Sequence, residues 1–526
     1  MDPIEALISR TEARRQKVSA QLSPKSRSAL GQYFTPDDAA RLIASMVTMP
    51  EDSDLRLLDP GAGVGSLTAA LVAHLISGEY KGRVEIVAVE VDPQLLPYLQ
   101  ETLNDVAKTG IQAGLQIEAT IIGMDFIVAA TGSNPQRSLN KPFDIIIANP
   151  PYKKLGASSI ERKSLLSLGV DCSNIYSAFI SLCVNLLQDG GQLAAITPRS
   201  FTNGSYFHSF REFLTSRASI TRLHVFESRS AVFADSAVLQ ENVIFHAVAG
   251  REIEQVVLSI SDDHIGQSTT REVRYDEVIS PADHHRFIRI PIGNHDTSTA
   301  ELIANMPCSL ADLGLRVSTG KIVDFRAKDH LLAQPNLFSI PLIYPGNLRS
   351  GKVEWPLPLR KPQALIDHPK IRNLLLPTEH FVLVNRFSAK EQRRRVVAAV
   401  FDPEDIPSQH VGFENHLNVF HKNERGLPEN LAYGLCLWLN SSLVDTYIRI
   451  FSGHTQVNAT DLRTLRYPNA DSLTSLGAAF GRGTWPSQEK IDALVDAHIL
   501  GQEGGASPTP LGSPVDHMED TITLQE

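Results

Sequence analysis

The chain has few cysteines, no long apolar run and no overall basic excess. Only four cysteines, Cys172, Cys183, Cys308 and Cys436, occur in 526 residues, with no CxxC pair and no histidine at ligand spacing. That pattern excludes a disulfide-framed scaffold and argues against structural zinc. No stretch approaches the roughly 18 apolar residues that a membrane-crossing helix needs, and Asp2, Glu5 and Glu12 interrupt the N-terminus where a secretion signal would be apolar. A cytoplasmic protein without a membrane partner is expected. The net charge is −10, so binding of a polyanion requires a locally basic surface. A nucleotide signature and a zinc signature are missing as well. No GxxxxGKS or GxxxxGKT loop is present, which argues against ATP hydrolysis, and the adjacent His284 and His285 lack an HExxH frame.

What is present is unevenly distributed. Residues 1–34 hold six Lys or Arg against three Asp or Glu, and form a basic N-terminal arm of net +3. Residues 35–315 hold 21 against 33, a net of −12, whereas residues 316–467 hold 20 against 14, a net of +6. Residues 468–526 carry 2 against 9, and are expected to form a C-terminal helix followed by a flexible tail rich in Gly, Pro and Ser. The basic charge of the arm and of the 316–467 block suits contact with a polyanion, or an ordinary solvated surface.

The acidic block alternates short apolar runs with amphipathic stretches. Leu55–Asp59, Val84–Glu90, Leu115–Ile122, Phe143–Ala148, Gln192–Thr197, Ile220–Phe226 and Glu241–Val248 read as seven strands, most of them separated by helical segments. This order predicts an α/β fold with a doubly wound, mostly parallel sheet. The last two strands lack a long intervening helix, which leaves room for one antiparallel member. The 316–467 block is less periodic and reads as a separate mixed α/β domain.

Chemistry-bearing residues cluster at the expected strand ends. Asp59-Pro60-Gly61-Ala62-Gly63-Val64-Gly65 follows the first strand, and glycines there permit a tight turn into a helix with close backbone approach to a ligand. Glu90 ends the second strand and can accept from ribose hydroxyls. Asp125 follows the third strand and can accept from an adenine amine, with Phe126 beside it. The open sheet places all three carboxylates on its ligand-binding edge; an exposed loop role suits them equally, and NAD satisfies the strand and glycine pattern alone. After the fourth strand comes Asn149-Pro150-Pro151-Tyr152. The Asn149 carboxamide and the Pro150 carbonyl can accept hydrogens from an exocyclic amine, Pro151 stiffens the backbone, and Tyr152 can stack on a base.

These elements, in order, resemble the gamma-class DNA adenine-N6 methyltransferases of type II restriction-modification systems. The matching segments are GQYFTP at 31–36, DPGAGVGS at 59–66, Glu90 with Asp92, Asp125-Phe126 and NPPY at 149–152. The resemblance implies the seven-stranded sheet of S-adenosylmethionine-dependent methyltransferases over 35–315, and a DNA target-recognition domain over 316–467. It implies S-adenosylmethionine contacts from Tyr33, Phe34, Thr35, Pro36, Asp59, Gly61, Gly63, Glu90, Asp125 and Phe126. Asn149, Pro150, Pro151 and Tyr152 would hold a flipped adenine, with Phe233 as a second aromatic wall and Phe201 as its competitor. Lys321, Arg386, Gln456 and Asn458 fall in segments that resemble the family's DNA-contacting parts, while the Arg393–Arg395 run suits a solvated surface as well. No metal is implied. The implied partners are double-stranded DNA and a separately encoded restriction endonuclease acting on the same site. Two other readings stay open: methyl transfer to a protein glutamine or to RNA, and a DNA-binding module that lacks activity.

Overall fold

The computed structural model describes residues 2–21, 34–51, 54–131, 136–227, 241–262, 268–388, 392–453, 455–481 and 483–501. Tyr33 and Phe233, both expected in the site, lie outside the described residues, as does the tail from 502 onward. The chain divides into two compact units. The first contains residues 1–304, 387–395 and 446–464, and the second contains 305–386, 396–445 and 465–526.

A nine-stranded sheet forms the first unit. Its strands are β1 (Asp54–Asp59), β2 (Arg83–Val89), β3 (Gln116–Ile122), β4 (Phe143–Ala148), β5 (Leu187–Pro198), β6 (Ala218–Phe226), β7 (Asn242–Ala249), β8 (Gln255–Ser261) and β9 (Thr269–Arg274). They run in the order β3-β2-β1-β4-β5-β7-β6-β8-β9. The first five are parallel to their neighbours, and β7 is antiparallel to both β5 and β6. The seven expected strands are all present, one of the last pair antiparallel, and two more extend the far edge. β8 joins β6 in parallel and β9 closes antiparallel on β8. Central strands such as β4 are buried along almost their whole length, as a sheet covered on both faces requires. Two apolar cores flank the sheet: one includes Phe143, Phe179, Phe201 and Phe245, the other Leu57, Leu71, Ile86 and Ile145.

The N-terminal arm is a helix, Pro3–Gln21, whose Leu7 and Ile8 belong to the second of these cores. Its cations face acids of the helix Leu96–Gln112: Arg10 bonds Asp105 at 3.1 Å, and Arg14 bonds Glu101 at 3.1 Å and Asp105 at 2.5 Å. Arg41 pairs with Glu5 at 2.7 Å. Part of the arm's basic excess thus complements the unit's own acidic surface.

The second unit is mixed α/β. It has a six-stranded sheet that includes Arg316–Thr319, Leu417–His421, Phe381–Asn385 and Ala398–Phe401, and a five-stranded sheet centred on Ser339–Ile343. The helices Glu429–Leu439 and Ala470–Phe480 cross at a glycine contact. A Cβ on Gly434 would lie 1.8 Å from the Leu473 carbonyl oxygen, and one on Gly477 would lie 1.8 Å from that of Asn430. The division differs from the contiguous 316–467 block expected from charge. Residues 446–464 pack with the first unit through polar bonds, and 387–395 joins them through Ser388 N to the Thr455 carbonyl at 3.0 Å and Arg395 to the Ser452 hydroxyl at 2.8 Å. Arg199 donates to the carbonyls of Arg449 and Ile450, Thr202 to that of Phe451, and Asn203 to Asp461.

Candidate active site

Parallel strands β3, β2, β1 and β4 end together, so their following loops share one edge. Asp59 is paired with Ala88, Val89 with Ile122, and Leu58 with Ile146. Two backbone bonds tie the loops: Ala62 N donates to Val89 O at 2.9 Å, and Glu90 N to Ile122 O at 3.0 Å.

Asp59 is 1% exposed. Thr68, in the first turn of the helix Ser66–Ser77, donates its hydroxyl to Asp59 Oδ2 at 2.8 Å. The other oxygen, Oδ1, accepts no hydrogen bond among the described residues. Burial raises the carboxyl to about 7 and the neighbouring Glu90 charge adds to it, against the Thr68 hydroxyl bond and weaker approaches of the Gly61 and Thr68 backbone N–H groups. Glu90 is also raised by burial. Its Oε2 accepts from Gly63 N at 2.8 Å and its Oε1 from Asp92 N at 2.7 Å, so the second strand end is bolted to the glycine turn. A Cβ on Gly61 would find only ordinary contacts, 3.6 Å to Phe179 and 4.0 Å to the Asn149 carbonyl oxygen. Gly63 is different: its φ is +56°, and its Cβ would lie 3.4 Å from the Phe34 ring.

Phe34, Thr35 and Pro36 lie against these loops. Pro36 caps the helix Asp37–Ser45, with Ala40 N donating to its carbonyl at 2.9 Å. Thr35 is buried, and its hydroxyl oxygen accepts from Asn149 Nδ2 at 2.9 Å, a contact across 114 positions of sequence. The first and the last of the expected motifs therefore meet directly. Asp125 caps the short helix Phe126–Thr131, accepting from Val128 N at 3.0 Å. The Phe126 ring is 2% exposed and packs on Phe179 at 5.0 Å, so the ring is a core element.

Asn149 and Tyr152 are half-buried beside the end of β4, while Pro150 is buried between them. The backbone after Tyr152 is pinned, with Ile175 N donating to Lys153 O and Leu155 N to Ser173 O, both at 2.8 Å. The Tyr152 ring meets Tyr176 edge-on at 6.3 Å, and Tyr176 stacks on Phe207 at 5.4 Å. Phe201 is 1% exposed, wedged between Phe210 and Phe245. That position makes it a core residue and removes it as the competing wall for a base.

The four expected DNA contacts are distributed over both units. Lys321 pairs with Glu424 at 2.8 Å, and Arg386 donates to the Asn415 carbonyl at 3.4 Å, both within the second unit. Gln456 forms an isolated antiparallel bridge with Phe387, and Asn458 N donates to Asp461 at 2.8 Å, both within the first. Arg395, in the run read as either DNA-facing or solvated, is 1% exposed and bonds the Ser388 carbonyl and the Ser452 hydroxyl. Sequence reasoning missed Thr68, the buried Arg199–Glu241 ion pair, and the Asn203–Asp461 bond. Each partner is remote in sequence or an ordinary residue type, and no local signal marks it.

The glycine turn, the half-coordinated buried Asp59 and the acidic end of β2 fit a bound S-adenosylmethionine, and with the strand order they define an S-adenosylmethionine-dependent methyltransferase. Comparisons with known proteins narrow the class. Residues 97–233 match the family described as Eco57I restriction-modification methylase. The chain is 42% identical over 490 residues to type II methyltransferase M.BsuBI of Bacillus subtilis, covering 92% of this chain and 96% of that protein. It is 37% identical over 488 residues to type II methyltransferase M.PstI of Providencia stuartii, again covering 92% and 96%. Among solved structures, the type IIL restriction-modification enzyme MmeI in complex with DNA shares the fold, with a TM-score of 0.53 at 10% identity over 95% of this chain and 74% of that one. The chain belongs to the type II methyltransferases of restriction-modification systems. It is a DNA methyltransferase, which sets aside the protein-glutamine, RNA and inactive-module readings, and S-adenosylmethionine is its cofactor.

Proposed function

We propose that the methylated group is the N6 amine of an adenine extruded from double-stranded DNA. The observation that carries this reading is Asn149-Pro150-Pro151-Tyr152 at the end of β4, on the edge that also holds Asp59 and Glu90. Asp59, Gly61 and Gly63 surround the methionine part of the cofactor, Glu90 takes the ribose hydroxyls, and Asp125 takes the cofactor adenine. Phe34 and Pro36 would neighbour it, while Thr35 between them bonds Asn149. When bound, S-adenosylmethionine supplies an electrophilic methyl group on a sulfonium sulfur.

The residues of the chain do the positioning. Asn149 Oδ1 and the Pro150 carbonyl accept the two amine hydrogens, which orients the nitrogen, and Tyr152 supports the extruded ring. Base extrusion costs a few kcal/mol, part of which stacking on Tyr152 and Phe233 offsets. Lys321, Arg386, Gln456 and Asn458 contact the duplex, which fixes its position and contributes to sequence choice. A separately encoded endonuclease cuts the same site when it is unmethylated, and the protein works in the cytoplasm, where host DNA must be protected. No helix among the described residues is long and apolar enough to cross a membrane.

Transfer of labelled methyl groups to duplex DNA, followed by nucleoside analysis, tests this reading. N6-methyladenine is the expected product, and Asn149→Ala is expected to lower turnover on the order of 100-fold or more, since misplacement alone has effects of that size. Methylcytosine as the product, or an Asn149→Ala protein with normal turnover, would sink it.

A further inference from the structure

Asn149 has a problem of orientation. Rotation of its carboxamide by half a turn exchanges an acceptor for a donor at almost the same shape. Only one of the two orientations turns oxygen toward an amine; the other sets N–H against N–H. Asn149 Nδ2 donates to Thr35 Oγ1 at 2.9 Å. Thr35 is 5% exposed, and its backbone is held by Pro36, which restricts the residue before it and begins the helix Asp37–Ser45. A hydroxyl both donates and accepts, so it does not by itself choose between the two orientations; what its fixed position supplies is an anchor that holds the Asn149 carboxamide beside the end of β4.

We propose that Thr35 is a positioning residue for the transfer reaction: its buried hydroxyl anchors the Asn149 carboxamide in place for the target amine. The inference rests on the adenine-N6 reading above and adds a role to Thr35 different from the cofactor contact implied by family resemblance. Phe34 lies over Gly63 and Thr35 grips Asn149, so neighbouring residues of one short segment serve the cofactor turn and the catalytic amide separately.

The test compares Thr35→Val, which keeps the shape and loses the acceptor, with Thr35→Ser, which keeps the hydroxyl. Thr35→Val is expected to lower kcat about 10-fold or more, with the KM for DNA and the Kd for S-adenosylmethionine changed by less than about twofold. Thr35→Ser is expected to stay near the wild type. A duplex with 2-aminopurine at the target position has no amine at C6 and reports base extrusion by fluorescence, so its signal is expected to persist in Thr35→Val. In an Asn149→Ala background the valine substitution is expected to cost nothing further, because the amide that Thr35 anchors is gone.

Wild-type kcat in Thr35→Val overturns the proposal. So does a loss that follows weakened cofactor binding, or an equal loss in the Asn149→Ala background. If valine disturbs the packing, Thr35→Ala takes its place: a low alanine variant beside a normal serine variant supports the assignment, and equal behaviour overturns it. A wild-type product other than N6-methyladenine would defeat the underlying reading before any Thr35 variant is measured, so the two failures are distinguishable.

Discussion

Asp59 holds its proton to about pH 7 because its carboxyl is taken out of water with one oxygen lacking a hydrogen bond among the described residues. In the free protein this raised value favours the neutral form. Its contribution to stability is complete below the ordinary carboxylate range and is lost as pH rises through about 7. A cationic cofactor reverses the preference, since it attracts the ionised form. The Kd for S-adenosylmethionine is therefore expected to fall as pH rises from about 6 to 8, and Asp59→Asn to flatten that dependence; calorimetric titration across the range checks both. Asp59 and Glu90 were legible in the sequence because each ends an apolar strand. Thr68, the hydroxyl that steadies Asp59, was not, since a threonine in the first turn of a helix carries no mark of its partner. Nor could sequence decide the role of Phe201. Its burial comes from Phe210 and Phe245, and Phe245 lies on a strand 44 positions away.

At the scale of elements, the seven strands were readable as short apolar runs, and the parallel order followed from the helical segments between them. β8 and β9 were not. Their sequences, QVVLSIS and TTREVR, are only partly apolar, and β9 is the edge strand, with most of its residues exposed. The turn after β1 offers a sharper contrast between neighbours. Gly63 occupies left-handed backbone, where a side chain costs roughly 1–2 kcal/mol, although a methyl there would meet the Phe34 ring only at an ordinary 3.4 Å. Gly61 is not in that region, and its methyl would touch only Phe179 and the Asn149 carbonyl at ordinary distances. Gly63→Ala is expected to lower both thermal stability and cofactor affinity. Gly61→Ala is expected to keep the melting temperature and weaken only the affinity. Melting curves paired with cofactor titrations separate the two, and a Gly61→Ala protein with normal affinity would remove this glycine from the cofactor site.

For the whole molecule, the charge blocks were legible but their use was not. Lys321, Lys361, Arg372 and Arg425 all belong to the basic block, and each is paired with an acid in the same unit. The compact units also differ from the charge block, because composition cannot register that 387–395 and 446–464 return to the first unit. Part of these returns is buried, Phe451, Val457, Asp461 and Leu462 among them. Removing them would leave the Arg199–Glu241 pair without its carbonyl partners and Asn203 without Asp461, a class of loss that typically costs several kcal/mol. A fragment ending at residue 304 is expected to be insoluble or to lack a cooperative melting transition, whereas the full chain melts cooperatively. A soluble, cooperatively folding fragment would show that the returning segments are dispensable.

The same threading has a consequence for birth on the ribosome. The last strand of the first unit ends at Arg274, yet the segment that satisfies Arg199, Thr202 and Asn203 ends at Thr464. At ordinary translation rates the nascent sheet waits on the order of 10 to 40 seconds for that segment. Throughout that interval the emerging polypeptide presents unfinished polar sockets near the end of β5, so chaperone demand should peak late in translation, after the methyltransferase sheet itself has been synthesised.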